Sequence, residues 1–205
     1  MITSIDSVQP LFIVPVMVCE IQDASFLKEL EDTCLALEHK TEIHPGWRDP
    51  ANTTMLTVQK EELLTYPAFQ QLKDFLDIKV KEYVHSIGGV SAGLNIFNLW
   101  FNVYNDGQSQ EFHTHGKSPV SGAVHVTSNP EQFTLFINPL VHHVESAVEN
   151  SLTRINAAYP TKSGNVILFP GELYHGTSIN DNSSKRITIS FNYMYYDPND
   201  APIEQ

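Results

Sequence analysis

The sequence predicts an α+β, mainly β fold, a jelly-roll core at about residues 94–196 carried by supporting helices at about 20–90, in one domain over 1–205. Three observations predict it. Two stretches before Gly93 carry apolar residues at helical spacing. After Gly93 the period shortens to alternation. From there to Tyr196 the chain is cut into short runs by turn residues: Asn105-Asp106-Gly107, Gly116-Lys117-Ser118-Pro119, Ser128-Asn129-Pro130 and Ser163-Gly164. Many short strands so punctuated fit a sandwich or jelly roll.

Each element has a local reason. Leu11 to Val18 is β-branched and apolar, which predicts a strand, and Pro15 predicts that it lies at an edge, since proline cannot donate to a ladder. Asp23 can cap a helix running to about Glu38, with Phe26, Leu30 and Cys34 on its apolar side. His44 to Thr54 is turn-rich and reads as a loop. A second helix spans about Pro67 to Ile87, with Phe69, Leu72, Leu76, Val80 and Val84 on one side, and Gly88-Gly89 ends it. With no repeat and no evident linker, the helices are expected to pack on the β region as one unit.

Two strands divide cleanly into faces. Phe97, Leu99, Phe101 and Val103 alternate with Asn98, Trp100, Asn102 and Tyr104. Ile187, Ile189, Phe191 and Tyr193 alternate with Arg186, Thr188, Ser190 and Asn192. The apolar faces belong against the helices or a neighbouring sheet. The mixed polar faces suit either solvent or a polar cavity.

Composition narrows the function. Twelve basic residues against 24 acidic ones give a formal charge of −12, which argues against a broad nucleic-acid surface. The apolar run at Leu11 is too short to span a bilayer, so the chain reads as a cytoplasmic protein without a membrane segment. Cys19 and Cys34 lack metal-ligand spacing and read as reduced thiols. Oligomeric state leaves no trace in the sequence.

The chemistry gathers around histidine. Residues two apart on a strand face the same way, so His113 and His115 would present two imidazoles together. His175 follows the turn-like Pro170-Gly171, and a third imidazole from there could complete one face of a metal shell. Arg186 comes eleven residues later, far enough for a hairpin through Asn180–Ser184 that would set it near the bottom of the same cavity, facing an anionic ligand; pairing with Asp181 is its alternative. His142 and His143 are adjacent, so a regular strand would point them apart.

The segment from Trp100 to Asn192 resembles the double-stranded β-helix (cupin-like) Fe(II)/2-oxoglutarate oxygenases, and among them most closely the 2OG-Fe(II) oxygenases found in bacteria and phages. The resemblance is carried by His113-Thr114-His115, Ser121-Gly122, Phe136-Ile137-Asn138-Pro139, Gly164 to Pro170, His175 and Arg186 to Asn192. It implies Fe(II) held by His113, His115 and His175, and 2-oxoglutarate as cosubstrate with its far carboxylate on Arg186. Tyr104, Asn102, Thr188 or Ser190 would assist that carboxylate. It also implies O2 as oxidant and a hydroxylase that releases succinate and CO2. The substrate would be a peptide side chain or a small molecule. Trp100, Phe112 and Phe169 read first as aromatic core packing, with a dry wall around the site as the alternative.

His115 departs from the general pattern, which has a carboxylate there. Glu111, also two residues from His113, is the alternative third ligand. Two other functions remain open: a three-histidine metal enzyme that uses no 2-oxoglutarate, and a non-catalytic jelly-roll binding module. The loops 43–54 and 138–154 are candidates to cover the mouth.

Overall fold

The computed structural model describes residues 13–47, 51–127, 129–139, 154–181 and 183–195. Two antiparallel sheets face each other, as a jelly roll requires. The larger has the order β1-β8-β5-β10-β4-β3-β2 and the smaller β7-β6-β9. The strands are β1 (Met17–Glu20), β2 (Glu42–Ile43), β3 (Asn52–Thr53), β4 (Leu94–Tyr104), β5 (Val120–His125), β6 (Asn129–Ile137), β7 (Asn156–Thr161), β8 (Asn165–Phe169), β9 (His175–Thr177) and β10 (Arg186–Tyr195).

Three helices precede β4: α1 (Ala24–Ala36), α2 (Lys60–Leu63) and α3 (Pro67–Ser86). Asp23 caps α1, its Oδ1 accepting the backbone N–H of Ser25 and of Phe26 at 3.0 Å each, so two otherwise orphaned donors are satisfied. Proline opens α3, where its missing N–H costs nothing. Gly88 closes α3 with a φ of +77°, a left-handed conformation that glycine adopts without strain.

Both long helices pack their apolar sides on the outer face of the large sheet. Phe26, Leu30, Leu72 and Leu76 share one buried cluster with Phe101, Val103, Ile189 and Phe191. A smaller cluster of Phe136, Ile167, Phe169 and Leu173 lies elsewhere in the β region. The polar face of β4 and β10 therefore turns toward the interior between the sheets. Alternation on β10 is as read from the sequence.

Several expectations change. The first strand starts at Met17 rather than Leu11, and Leu11 and Phe12 fall outside the described residues. Pro15 precedes it and offers only a carbonyl, which accepts from Tyr83 Oη at 3.0 Å. The first helix stops at Ala36, before a 3₁₀ turn at Glu38–Lys40. The 43–54 segment is not all loop: β2 and β3 pair with each other, and β3 pairs with β4.

The largest change concerns Phe97. Asn192 pairs with Asn98 but Tyr193 pairs with Ile96, so Phe97 is the extra residue of a β-bulge. Before the bulge Leu94 and Ile96 face the core; after it Leu99 and Phe101 do. Phe97 is turned to the cavity side and is 43% exposed.

No hairpin joins β9 to β10 either. They lie in different sheets. Among the described residues no helix is long and apolar enough to cross a membrane. Both cysteines are free, and burial pushes the Cys34 thiol pKa up.

Candidate metal centre and cosubstrate cavity

A cavity of about 610 Å³ opens between the two sheets. His113, His115 and His175 meet in it, with one ligand atom from each lying within 4.8 Å of the others. They get there by different routes. His175 begins β9 and pairs with Phe136 of β6. His113 forms an isolated bridge to His175, N–H to carbonyl in both directions at 2.8 and 3.0 Å.

His115 is not in a strand. Its backbone N–H donates to Gly171 O at 2.7 Å, which holds it in an extended stretch before the turn at Gly116. The two-residue spacing thus acts through an edge extension of the small sheet rather than through a full strand.

The outer ring nitrogens explain how the rings are aimed. His113 Nδ1 lies 2.8 Å from Glu111 O, and His175 Nδ1 lies 2.7 Å from Leu173 O. A backbone carbonyl only accepts, so both Nδ1 atoms carry the hydrogen. His115 Nδ1 lies 2.7 Å from Asn192 Oδ1 and donates to it. Every Nε2 therefore presents a lone pair inward, as a metal-binding imidazole requires.

Burial, the largest cause in each case, holds the three rings neutral. It pulls His115 down to about 4 and His175 to about 3, and it lowers His113 as well. His113 Nε2 and His115 Nε2 stand only 3.2 Å apart. Two nitrogens at right angles on one ion, each bonded at about 2.1 Å, would be separated by roughly 3 Å, so the donor set fits a divalent metal. Glu111 contributes its backbone carbonyl, and its carboxylate is outside the cluster.

Aromatic rings close around these nitrogens. Trp100 lies 5.5 Å from His115 and Phe169 lies 4.5 Å from His175, centroid to centroid. Phe112 does not join them: it stacks on Tyr174 at 5.6 Å, and neither of the pair lines the cavity.

One strand level below His175 the lining becomes polar. Tyr104, Gln110, His125, Thr134, Thr177 and Thr188 gather there. Asn102 and Ser190 line the same wall of the cavity, where Asn102 Nδ2 lies 3.5 Å from Thr188 Oγ1 and 3.4 Å from Ser190 Oγ. Burial, together with the nearby Arg186 charge, pulls His125 down to about 3.

Arg186 is 2% exposed and does not itself line the cavity. Its guanidinium sits 4.2 Å from the centre of the Tyr104 ring and donates to Gln132 Oε1, Ser178 O and Thr177 Oγ1 at 2.8–3.0 Å. Asp181 accepts from Gln132 Nε2 at 2.9 Å instead of pairing with the arginine. Asn102 Oδ1, both amide atoms of Gln110, His125 Nδ1 and Arg186 Nε are buried without a partner among the described residues. Unmet polar groups in a closed site are costly. Of these, Gln110 Nε2 and, when it carries the hydrogen, His125 Nδ1 belong to residues lining the cavity and are donors that fit an anion such as 2-oxoglutarate.

Four residues of this site escaped the sequence reading. Asn192 and Ser121 form the support behind His115, and alternation along β10 carried a signal for Asn192. His125, in the run from Gly122 to Thr127, has no second histidine two residues away to mark it. Gln110 lies in an irregular stretch with no periodicity to read. His142 and His143 fall outside the described residues, as does most of the 138–154 loop. His44, Trp47 and Met55 of the other loop region line the cavity mouth.

Fold and site together define a jelly-roll protein with a three-histidine centre inside the barrel. Residues 98–192 match the family described as "Putative 2OG-Fe(II) oxygenase", and that segment contains all three histidines and Arg186. The matched segment, a little under half of the chain, is thus similar to the 2OG-Fe(II) oxygenases.

Solved structures share the fold. The non-heme α-ketoglutarate-dependent carbocyclase SnoK from nogalamycin biosynthesis aligns at a TM-score of 0.66 and 12% identity, covering 88% of this chain and 79% of its own. A Pseudomonas putida prolyl-4-hydroxylase aligns at 0.63 and 14%, covering 90% and 94%. HygX from Streptomyces hygroscopicus, with nickel and 2-oxoglutarate bound, aligns at 0.60 and 16%, covering 88% and 82%. A search of curated proteins finds no sequence match.

Proposed function

We propose that His113, His115 and His175 hold Fe(II) and that the polar level beneath them holds 2-oxoglutarate, so that the protein hydroxylates a C–H bond of a peptide side chain or small molecule. The convergence of three Nε2 lone pairs, each aimed by a hydrogen bond at Nδ1, carries this reading. Bound iron and 2-oxoglutarate supply the oxidising chemistry with O2, releasing succinate and CO2.

The chain's own residues bind, orient and exclude water. His175 and Thr177 are two residues apart on β9, about 7 Å along a strand, a span suited to a five-carbon dicarboxylate reaching from the metal to the lower level. Arg186, behind Tyr104 and bonded to Thr177, supplies the positive charge that favours the far carboxylate. Tyr104, Asn102, Thr188 and Ser190 offer hydroxyl and amide partners. The orphaned amide of Gln110 favours this reading over a three-histidine enzyme without 2-oxoglutarate.

Trp47, Met55, Phe97 and Met194 give the mouth an apolar rim. Such a rim suits an apolar side chain or a small molecule, the substrate types represented by the prolyl hydroxylase and the carbocyclase among the similar folds. The net charge of −12 disfavours a nucleic-acid substrate.

Anaerobic addition of Fe(II) and then 2-oxoglutarate is the test. The expected result is a visible metal-to-ligand charge-transfer band, followed by succinate release on admitting air. Iron bound stoichiometrically with neither signal would overturn the 2-oxoglutarate reading. Arg186→Ala should weaken 2-oxoglutarate binding far more than metal binding; equal loss of both would mean a folding defect instead.

A further inference from the structure

The site has an unusual member, a histidine where the general pattern of the oxygenases it resembles has a carboxylate, and the residue that holds it is not among the three clustered histidines. His113 and His175 are aimed by carbonyls two residues earlier in their own chain segments, Glu111 O and Leu173 O. His115 has no such local acceptor. Its Nδ1 meets the side chain of Asn192, 77 positions away on β10.

Asn192 is itself fixed from both sides. Ser121 Oγ on β5 donates to Asn192 Oδ1 at 2.8 Å, and Asn192 Nδ2 donates to Asn98 Oδ1 on β4 at 3.3 Å. The three residues occupy one level of three neighbouring strands, since Asn192 pairs with Ser121 on one side and with Asn98 on the other. The β-bulge begins immediately beyond this level, where Tyr193 has already slipped to Ile96.

In this orientation the amide satisfies all three neighbours. Its oxygen accepts twice and its nitrogen donates once. With the oxygen toward His115, Nδ1 must carry the hydrogen and Nε2 must present its lone pair to the centre. Were the amide reversed, its N–H₂ would face Nδ1 and favour the other tautomer, with Nε2 protonated and unable to bind a metal.

We infer that Asn192, held by Ser121 and Asn98, is the positioning residue that makes His115 a metal ligand by fixing its tautomer and ring orientation. The inference rests on the proposed metal reading of the three histidines and adds to it the device by which a histidine serves in that position. Partners of this kind behind a ligand typically tune metal affinity by 10–100-fold.

Co(II) alone is the probe. In the Co(II)-loaded wild type, three solvent-exchangeable, paramagnetically shifted ring N–H protons are expected in the NMR spectrum, one for each Nδ1–H. Asn192→Leu, similar in size, should lose or shift only the His115 signal and weaken Co(II) binding by roughly 10–100-fold. Asn192→Asp should keep all three signals and bind Co(II) more tightly than wild type, because a carboxylate is the stronger acceptor. In a His115→Ala background, Asn192→Leu should cause no further loss.

Three unchanged signals with unchanged affinity in Asn192→Leu would overturn the inference, as would equal losses in the presence and absence of His115. If the leucine variant does not fold, Asn192→Asp decides: affinity equal to or weaker than wild type overturns it. A wild type that takes up no Co(II) would instead overturn the metal reading itself.

Discussion

His113 Nε2 and His115 Nε2 lie 3.2 Å apart, with the ring hydrogens of both held on the opposite nitrogen. Two lone pairs at that distance repel unless a cation stands between them. A divalent ion that binds only the folded chain should therefore raise stability. At a free concentration of 100 times Kd the gain is about 2.7 kcal/mol. A thermal melt with Ni(II) should show the rise in wild type and lose most of it in His175→Ala. An unchanged melt in wild type would count against the metal site.

Gln110 is 5% exposed, and both of its amide atoms lack a partner among the described residues, although its backbone is tied to Thr177 in both directions. A side chain so held is available to a ligand at the polar level. Gln110→Leu, which removes the amide and keeps the bulk, should weaken 2-oxoglutarate binding to the Ni(II) protein by roughly tenfold, the worth of one hydrogen bond of about 1.4 kcal/mol. Calorimetry reads this directly, and Ni(II) affinity should stay as in wild type.

The bulge makes neighbouring phenylalanines unequal. Phe101 is fully buried under the helices, whereas Phe97 is 43% exposed on the cavity side. Phe101→Ala should cost about 3–5 kcal/mol in denaturant unfolding. Phe97→Ala should cost less than about 1 kcal/mol and act instead on substrate binding. Equal costs would mean that Phe97 sits in the core, as simple alternation expects.

His125 sets a pH dependence. Burial first, and the Arg186 charge second, lower its pKa to about 3 from the ordinary 6.5. Between those values the unfolded chain takes up a proton that the folded protein excludes. The associated stability is complete above the unfolded value and is lost as pH falls toward the folded one, at up to about 1.4 kcal/mol per pH unit. In metal-free protein His115 and His175 add losses of the same sign. Unfolding measured from pH 7 to pH 4 should be less steep in pH for His125→Gln than for wild type.

Much of the architecture was legible because it is written locally. Asp23 and Pro67 mark helix starts through their own backbone chemistry. The alternation from Leu99 to Tyr104 and along β10 reports which side of a sheet meets the helices. Spacing and order likewise brought His113, His115, His175 and Arg186 into one reading.

The rest depended on partners that alternation does not name. Whether Phe97 faces the core is decided by a one-residue slip against β10, which period counting carries straight through. The hairpin expected between His175 and Arg186 dissolves because β9 and β10 join different sheets. Gln110 is a site residue only because a segment without regular structure is pinned to β9.

By itself the sequence determined the types of element, the buried faces and the presence of a histidine centre, since these follow from local propensity, periodicity and side-chain chemistry. Only the tertiary structure decided how that centre is built. It places Asn192, on a strand 77 residues further along, behind His115, and it leaves the Glu111 carboxylate outside the cluster. The physical reason is that a ligand needs a direction as well as a donor atom, and here the direction comes from hydrogen bonds between strands distant in sequence.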